Sequence, residues 1–165
     1  GQLAAEHLLS LGHKRICIVS ADPRPSAFDE RLRGFENILK RHDLGLPETP
    51  LFFGDMTRQS GHGIAPELMA SQPTAAFALN DRMALGIMDW ASENGVNIPR
   101  DLSIVGYDDI PDANFHKLTT VRQPAMEMGR EAVKLLFRLL DGENAPSRIV
   151  TPAVFIARQT VRTIS

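Results

Sequence analysis

A single cysteine, Cys17, stands in the 165 residues, so the chain has no internal disulfide framework. It lies in the run Ile16-Cys17-Ile18-Val19, where a free thiol behaves as a small buried hydrophobe. No apolar stretch approaches the roughly 20 residues that a membrane-crossing helix needs. No secretory signal pattern opens the chain. Its abrupt start at Gly1, already in a helical pattern, suggests a piece of a longer protein. Positive charge is not in excess either. The formal net charge of −2 offers no phosphate-attracting surface, so this piece is not expected to bind DNA or an acidic membrane by itself.

Catalytic signatures are missing as well. The sequence has no G-x-S-x-G, no H-E-x-x-H, no phosphate-binding Walker loop and no G-x-G-x-x-G. Ser60-Gly61-His62-Gly63 does not make a nucleophile elbow. The histidines at positions 7, 13, 42, 62 and 116 lack ligand spacing, and Asp108-Asp109-x-x-Asp112 falls short of a calcium loop. A binding module is therefore expected rather than an enzyme, with no metal and no cofactor.

What is present is an ordinary globular composition, 43% hydrophobic and 23% charged, in a length that suits one domain. The hydrophobic period switches repeatedly between that of a helix and that of a strand. Ala4, Ala5, Leu8, Leu9 and Leu11 make a helical face closed by Gly12, and His13 suits the end of that helix as a cap. Arg15 to Val19 reads as a buried strand. A proline-rich loop from Asp22 to Pro25 follows. Asp29 then serves as N-cap for a helix with Leu32, Phe35, Ile38 and Leu39 inward. Leu51 to Phe53 makes a second strand, and the next helix carries Ile64, Leu68 and Met69, with Pro66 expected to kink or restart it. Thr74 to Leu79 is a third strand. Asn80 caps a helix burying Met83, Ala84, Ile87 and Ala91, which stops at Gly95. Leu102 to Tyr107 is a fourth strand, Asp108 to His116 a polar loop, and Leu118 to Val121 a short extended piece. Pro124 opens a helix with Met128, Ala132, Leu135, Leu136 and Leu139 on one face, ended by Gly142. Ile149 to Ile156 is the last strand. Such alternation predicts an α/β fold: a doubly wound, mostly parallel sheet with helices on both faces.

In that architecture ligands bind beyond the carboxyl ends of the strands. The turns there supply Glu30, Arg31 and Arg33, then Gly54, Asp55 and Met56, then Asn80 and Asp81, then Asp108 and Asp109. Carboxylates accept hydrogen bonds, guanidinium donates in a fork, and asparagine does both, a mixture suited to a neutral polyol. Arg33 opposite Asp108 is a pair that grips adjacent hydroxyls, with Met56 as an apolar wall. Each residue also has a plainer explanation: surface charge for Arg33, capping for Asn80, turn formation for Asp108, and packing for Met56.

Several stretches resemble the LacI-type (lactose-repressor family) transcription regulators. They are Ala4-Ala5-Glu6-His7-Leu8-Leu9, Glu30-Arg31-Leu32-Arg33-Gly34-Phe35, Gly54-Asp55-Met56, Ala78 through Gly86, Pro99 through Asp109, and Leu118 through Pro124. The resemblance runs through the chain in order. The periplasmic sugar-binding proteins share the fold and are the alternative, as solute-binding proteins for transport. The resemblance implies a type I periplasmic-binding-protein-like core in two lobes. Residues 1–118 would be the carboxyl-terminal lobe, 119–145 a crossover strand and helix of the other lobe, and 146–165 a return strand and tail. It implies a small-molecule effector, with a sugar favoured, contacted by Arg33, Asp108, Asn80, Gln123, Met56 and Asp29. It also implies a cytoplasmic homodimer with Leu85 at the interface, and operator DNA read through an amino-terminal head outside these residues. Met56 departs from the aromatic residue that relatives often carry there, and Lys117 from a proline.

Overall fold

The computed structural model describes residues 1–23, 25–44 and 49–164. Arg24, in the proline-rich loop, lies outside the described residues.

The elements follow in the order α1 (Gln2–Ser10), β1 (Ile16–Ala21), α2 (Ser26–Arg41), β2 (Leu51–Gly54), α3 (Arg58–Ala70), β3 (Ala75–Ala78) and α4 (Asp81–Glu93). Then come β4 (Ser103–Val105), α5 (Pro111–Phe115), β5 (Thr120–Arg122), α6 (Ala125–Leu140) and β6 (Val154–Ile156). Strands β2-β1-β3-β4 form one all-parallel sheet, and β5 pairs with β6 in a separate antiparallel ribbon. Every residue of the two central strands β1 and β3 is buried. This explains their unbroken apolar runs, since a strand covered on both faces has no polar side to alternate with. The order 2-1-3-4 reverses direction after β2. Right-handed crossovers then place α2 on one face and α3 and α4 on the other. Phe35 of α2 stacks on Phe77 of β3 with ring centroids 4.9 Å apart.

Glycines set the close packing on the second face. A Cβ on Gly61 would sit 2.1 Å from the Met83 carbonyl oxygen, and one on Gly86 would sit 1.9 Å from that of Arg58. The two helices therefore touch backbone to backbone. This packing carries α3 on through Pro66 without the restart that the sequence allows. Proline here forfeits one hydrogen bond on an exposed side of the helix, and the buried contacts of Gly61, Ala65 and Leu68 outweigh it.

Other expectations are corrected too. Pro25, in extended conformation, is the N-cap of α2, and Asp29 lies inside the first turn. The helix starts earlier because Ser26 and Ala27 can be wound on after a proline with fixed φ. The polar loop after β4 contains α5, with Pro111 in the first helical position that suits proline. The last strand is limited to Val154–Ile156, because β5 offers it only three partners. His13 does not cap α1 with its ring. Buried, the imidazole lies 3.0 Å from both Thr74 Oγ1 and the Arg162 carbonyl oxygen, tying the tail to the sheet. Leu85, expected at a dimer contact, is 1% exposed and packs in this chain's own core, so it presents no surface to a partner.

Helix α6 has the expected limits, but no residue of it is buried: Met128, Leu136 and Leu139 are 47%, 54% and 56% exposed. Among the described residues, none covers its inward pattern enough to bury a residue of it. Among the described residues, no helix is long and apolar enough to cross a membrane.

Candidate functional site

The parallel strands all end at one edge of the sheet, and the residues after β2, β3 and β4 meet there. Asn80 accepts a hydrogen bond from the Met83 amide at 2.9 Å, capping α4, and its Nδ2 donates to the Met56 carbonyl oxygen at 3.0 Å. One asparagine thus joins two turns. Met56 holds a left-handed φ of 72° and leaves its side chain 40% exposed at this edge.

Arg31 is the centre of the arrangement. It is 8% exposed, and its guanidinium lies over the rings of Phe28 and Tyr107, 4.9 and 3.8 Å from their centroids. One terminal nitrogen donates to the Leu79 carbonyl oxygen, and the other reaches Asp108 Oδ1 at 3.2 Å. Gln123 Nε2 donates to that same Asp108 oxygen at 2.6 Å. A continuous polar line therefore runs from Met56 through Asn80, Leu79, Arg31 and Asp108 to Gln123. Burial pushes the Asp108 carboxyl up, against the opposing pull of Arg31, Gln123 and Arg82. Its φ of 115° is one that few side-chain-bearing residues adopt, which marks a position held by its surroundings.

Of the residues predicted from sequence, the structure brings together Asn80 with Met56 and Asp108 with Gln123. Arg33 is not among them. It is exposed and lines a different groove with Glu30, Gly34, Asn37 and Val150. Asp29 is half-buried in the first turn of α2, next to Phe28. The arginine facing Asp108 is Arg31. Helical spacing could have found it: Arg31 follows Phe28 by three and precedes Phe35 by four, so it shares their inward face, whereas Arg33 does not. Two open grooves flank the line. One, of about 790 Å³, runs from Asp108 and Gln123 to Glu127 and Arg130; the other, of about 450 Å³, is lined by Ala27, Arg31, Tyr107 and Met128.

A second carboxylate lies beneath this surface. Asp81 is fully buried and accepts from the Ile110 amide at 2.9 Å and from Thr120 Oγ1 at 2.5 Å. A Cβ on Gly106 would come within 2.2 Å of its Oδ1, so glycine leaves the room that the carboxyl occupies. Burial raises its pKa to about 6; the hydrogen bonds from Thr120 and Ile110 oppose the shift and the Asp108 charge adds to it. A raised carboxyl pKa means that the folded state holds the proton more tightly. The group therefore costs nothing below pH 3.8, and stability falls as pH rises from about 4 to about 6. Asp81→Asn removes that slope. Denaturant titrations should show the variant gaining on the parent by about 3 kcal/mol between pH 4 and 7. A gap that stays constant with pH would contradict the assignment.

Comparison with known proteins places this geometry. Residues 5–161 match the family model of the periplasmic binding protein-like domain. The HTH-type transcriptional repressor PurR of Haemophilus influenzae (strain PittEE) is 34% identical over 173 residues, covering 99% of this chain and 51% of the relative. The crystal structure of a LacI family transcriptional regulator from Enterococcus faecium with bound ribose superposes with a TM-score of 0.93 at 35% identity, covering 99% of this chain and 62% of that one. A dimeric Lac repressor with a carboxyl-terminal deletion gives 0.90 at 30% identity, covering 99% and 61%. The chain spans about half the length of the curated relatives it matches. The chain belongs to the periplasmic binding protein-like domain family, in the form found in LacI-type transcription regulators.

Proposed function

We propose that this chain is the effector-sensing part of a LacI-type transcription regulator, binding a small polar metabolite, with a sugar favoured. The observation that carries the proposal is the polar line from Met56 through Asn80, Arg31 and Asp108 to Gln123 at the carboxyl edge of the sheet. It joins a carboxylate, an amide and a guanidinium, the donors and acceptors that adjacent hydroxyls require. Ribose in the Enterococcus faecium relative supports a sugar; the exposed thioether of Met56 supports an apolar wall rather than an aromatic platform. Arg31 takes the role that the motif reading gives to Arg33.

In this reading residues 1–118 form one lobe, 119–145 cross into a second lobe, and 146–165 return. The exposed apolar face of α6 is then the part of the second lobe that this chain carries. The regulator works as a cytoplasmic homodimer, is not an enzyme, and meets operator DNA through a separate amino-terminal head. The repressors among its relatives favour this over transport of a solute.

The test is calorimetry with ribose and other monosaccharides on the full-length gene product and on this chain alone. Half a cleft leaves one side of the ligand in water, so the chain alone should bind at least about tenfold more weakly, a loss of about 1.4 kcal/mol. Equal affinities would overturn the two-lobe reading. Sequence-selective, salt-sensitive DNA binding by the chain alone would contradict the separate head.

A further inference from the structure

Asp109 stands beside the effector line without belonging to it. Its side chain is 6% exposed, and its two oxygens face different ways along the chain. Oδ2 accepts from Arg122 Nε at 2.6 Å, at the end of β5, where the chain leaves for α6. Oδ1 accepts from Arg158 Nη2 at 2.6 Å, just past β6, where the chain returns. Arg158 is itself 11% exposed, and its other terminal nitrogen donates to the Leu118 carbonyl oxygen at 2.7 Å. The Arg158 amide donates to Thr119 Oγ1. Burial works to raise the Asp109 carboxyl, but the hydrogen bonds from Arg158 and Arg122 outweigh it and hold the group below its usual range.

We propose that Asp109 is a hinge pin: one carboxylate fastens both the outgoing and the returning segment to the strand-four turn, so that whatever lies beyond them moves as one unit. The physical reason is economy of constraint. The β5–β6 ribbon has only three residue pairs, and a two-stranded ribbon that short does not hold its own register. Among the described residues its ladder pairing with the parallel sheet is confined to the isolated bridges Val105–Thr119 and Asp108–Arg122, beside the side-chain bond from Thr120 Oγ1 to Asp81. A buried carboxylate between two arginines adds the cross-link that reaches both segments at once, with charge-assisted bonds on both sides. The Arg122 half is half-exposed and screened, so most of the strength lies with Arg158. Asp109 also follows Asp108 directly, so a ligand on Asp108 pulls on the turn that carries the pin. That last step rests on the effector-sensing reading; the pin itself does not.

Hydrogen exchange on this chain tests it without any ligand. Asparagine tolerates the left-handed φ of 59° at position 109, so Asp109→Asn removes the charge and spares the backbone. Amides of residues 120–122 and 154–158 should both exchange faster, by about tenfold. Those of Ile16–Val19 and Ala75–Ala78 should be unchanged. Arg158→Gln should loosen the same two segments, and the double variant should loosen them by less than the sum of the two single variants, the remainder being the Arg158 bond to the Leu118 carbonyl oxygen. Unchanged exchange in either segment, additive effects in the double variant, or faster exchange throughout the sheet would each overturn the pin. If both segments loosen as expected while the full-length protein binds none of the monosaccharides or other small polar metabolites, the pin stands and the effector reading falls.

Discussion

Gly86→Ala is expected to lower the thermal midpoint of the fold by about 6–12 °C. A Cβ at this position would lie 1.9 Å from the Arg58 carbonyl oxygen and 2.7 Å from the His62 amide nitrogen, both backbone atoms of α3. No side-chain rotation relieves such a contact, so the helices must move apart. Moving them loosens Met83, Ile87, Ala65 and Leu68, all completely buried. Overpacking a tight core costs about 1–3 kcal/mol, and a backbone clash belongs at or above the top of that range. Alanine's better helix propensity returns up to about 1 kcal/mol. A net loss near 3 kcal/mol, at about 2–4 °C per kcal/mol for this chain length, gives the shift. Gly63→Ala is the control: it sits on the same α3, with nothing within 4 Å of its added Cβ, and should be neutral or slightly stabilising. Circular dichroism melts of both variants decide the point. Equal midpoints would mean that the helices do not meet at Gly86.

The contrast shows which features a sequence carries. Gly12, Gly95 and Gly142 were readable as helix stops because each follows a periodic apolar run, and all three take left-handed φ values of 90°, 70° and 73°. Asn80 was readable as a cap for the same local reason, and it caps α4. Strand β1 was legible as a buried run, and β3 as a strand. Gly61 and Gly86 were not, because their need for glycine comes from a neighbouring helix rather than from their own backbone. The site divides in the same way. Asp108 and Asn80 sit where turns must fall in a doubly wound sheet, whereas Gln123 came only from the family resemblance. Choosing Arg31 over Arg33 required following the helical face back from Phe35, which a motif alone does not do. Asp81 and Asp109 gain their partners from residues 39 and 49 positions away, and no local pattern announces those contacts.

Asp108→Asn should weaken effector binding about ten- to hundredfold while leaving the protein folded. Asp108 both holds Arg31 and faces the open edge. Hydrogen bonds to a charged group contribute about 1.5–3 kcal/mol each, and losing one of them gives that range of affinity. Asparagine keeps the shape and one accepting oxygen, so Arg31 retains a partner. Arg31→Ala is a poorer probe, because it also frees the buried Leu79 carbonyl oxygen and uncovers the Phe28 and Tyr107 rings. Its stability should fall along with binding. Arg31→Lys should bind weakly too, since a point charge cannot span two acceptors while lying against the Phe28 and Tyr107 rings.

The central claim, that the Arg31–Asp108 edge binds the effector, is tested most directly by one calorimetric titration. The ligand is the first one that a thermal-shift screen of monosaccharides and other small polar metabolites yields on the full-length gene product. The proteins are the parent, Asp108→Asn and Arg33→Ala. The account predicts at least a tenfold loss for Asp108→Asn, and a change within about twofold for Arg33→Ala, as for an ordinary surface substitution. Unaltered affinity in a folded Asp108→Asn protein, or a large loss confined to Arg33→Ala, would contradict it.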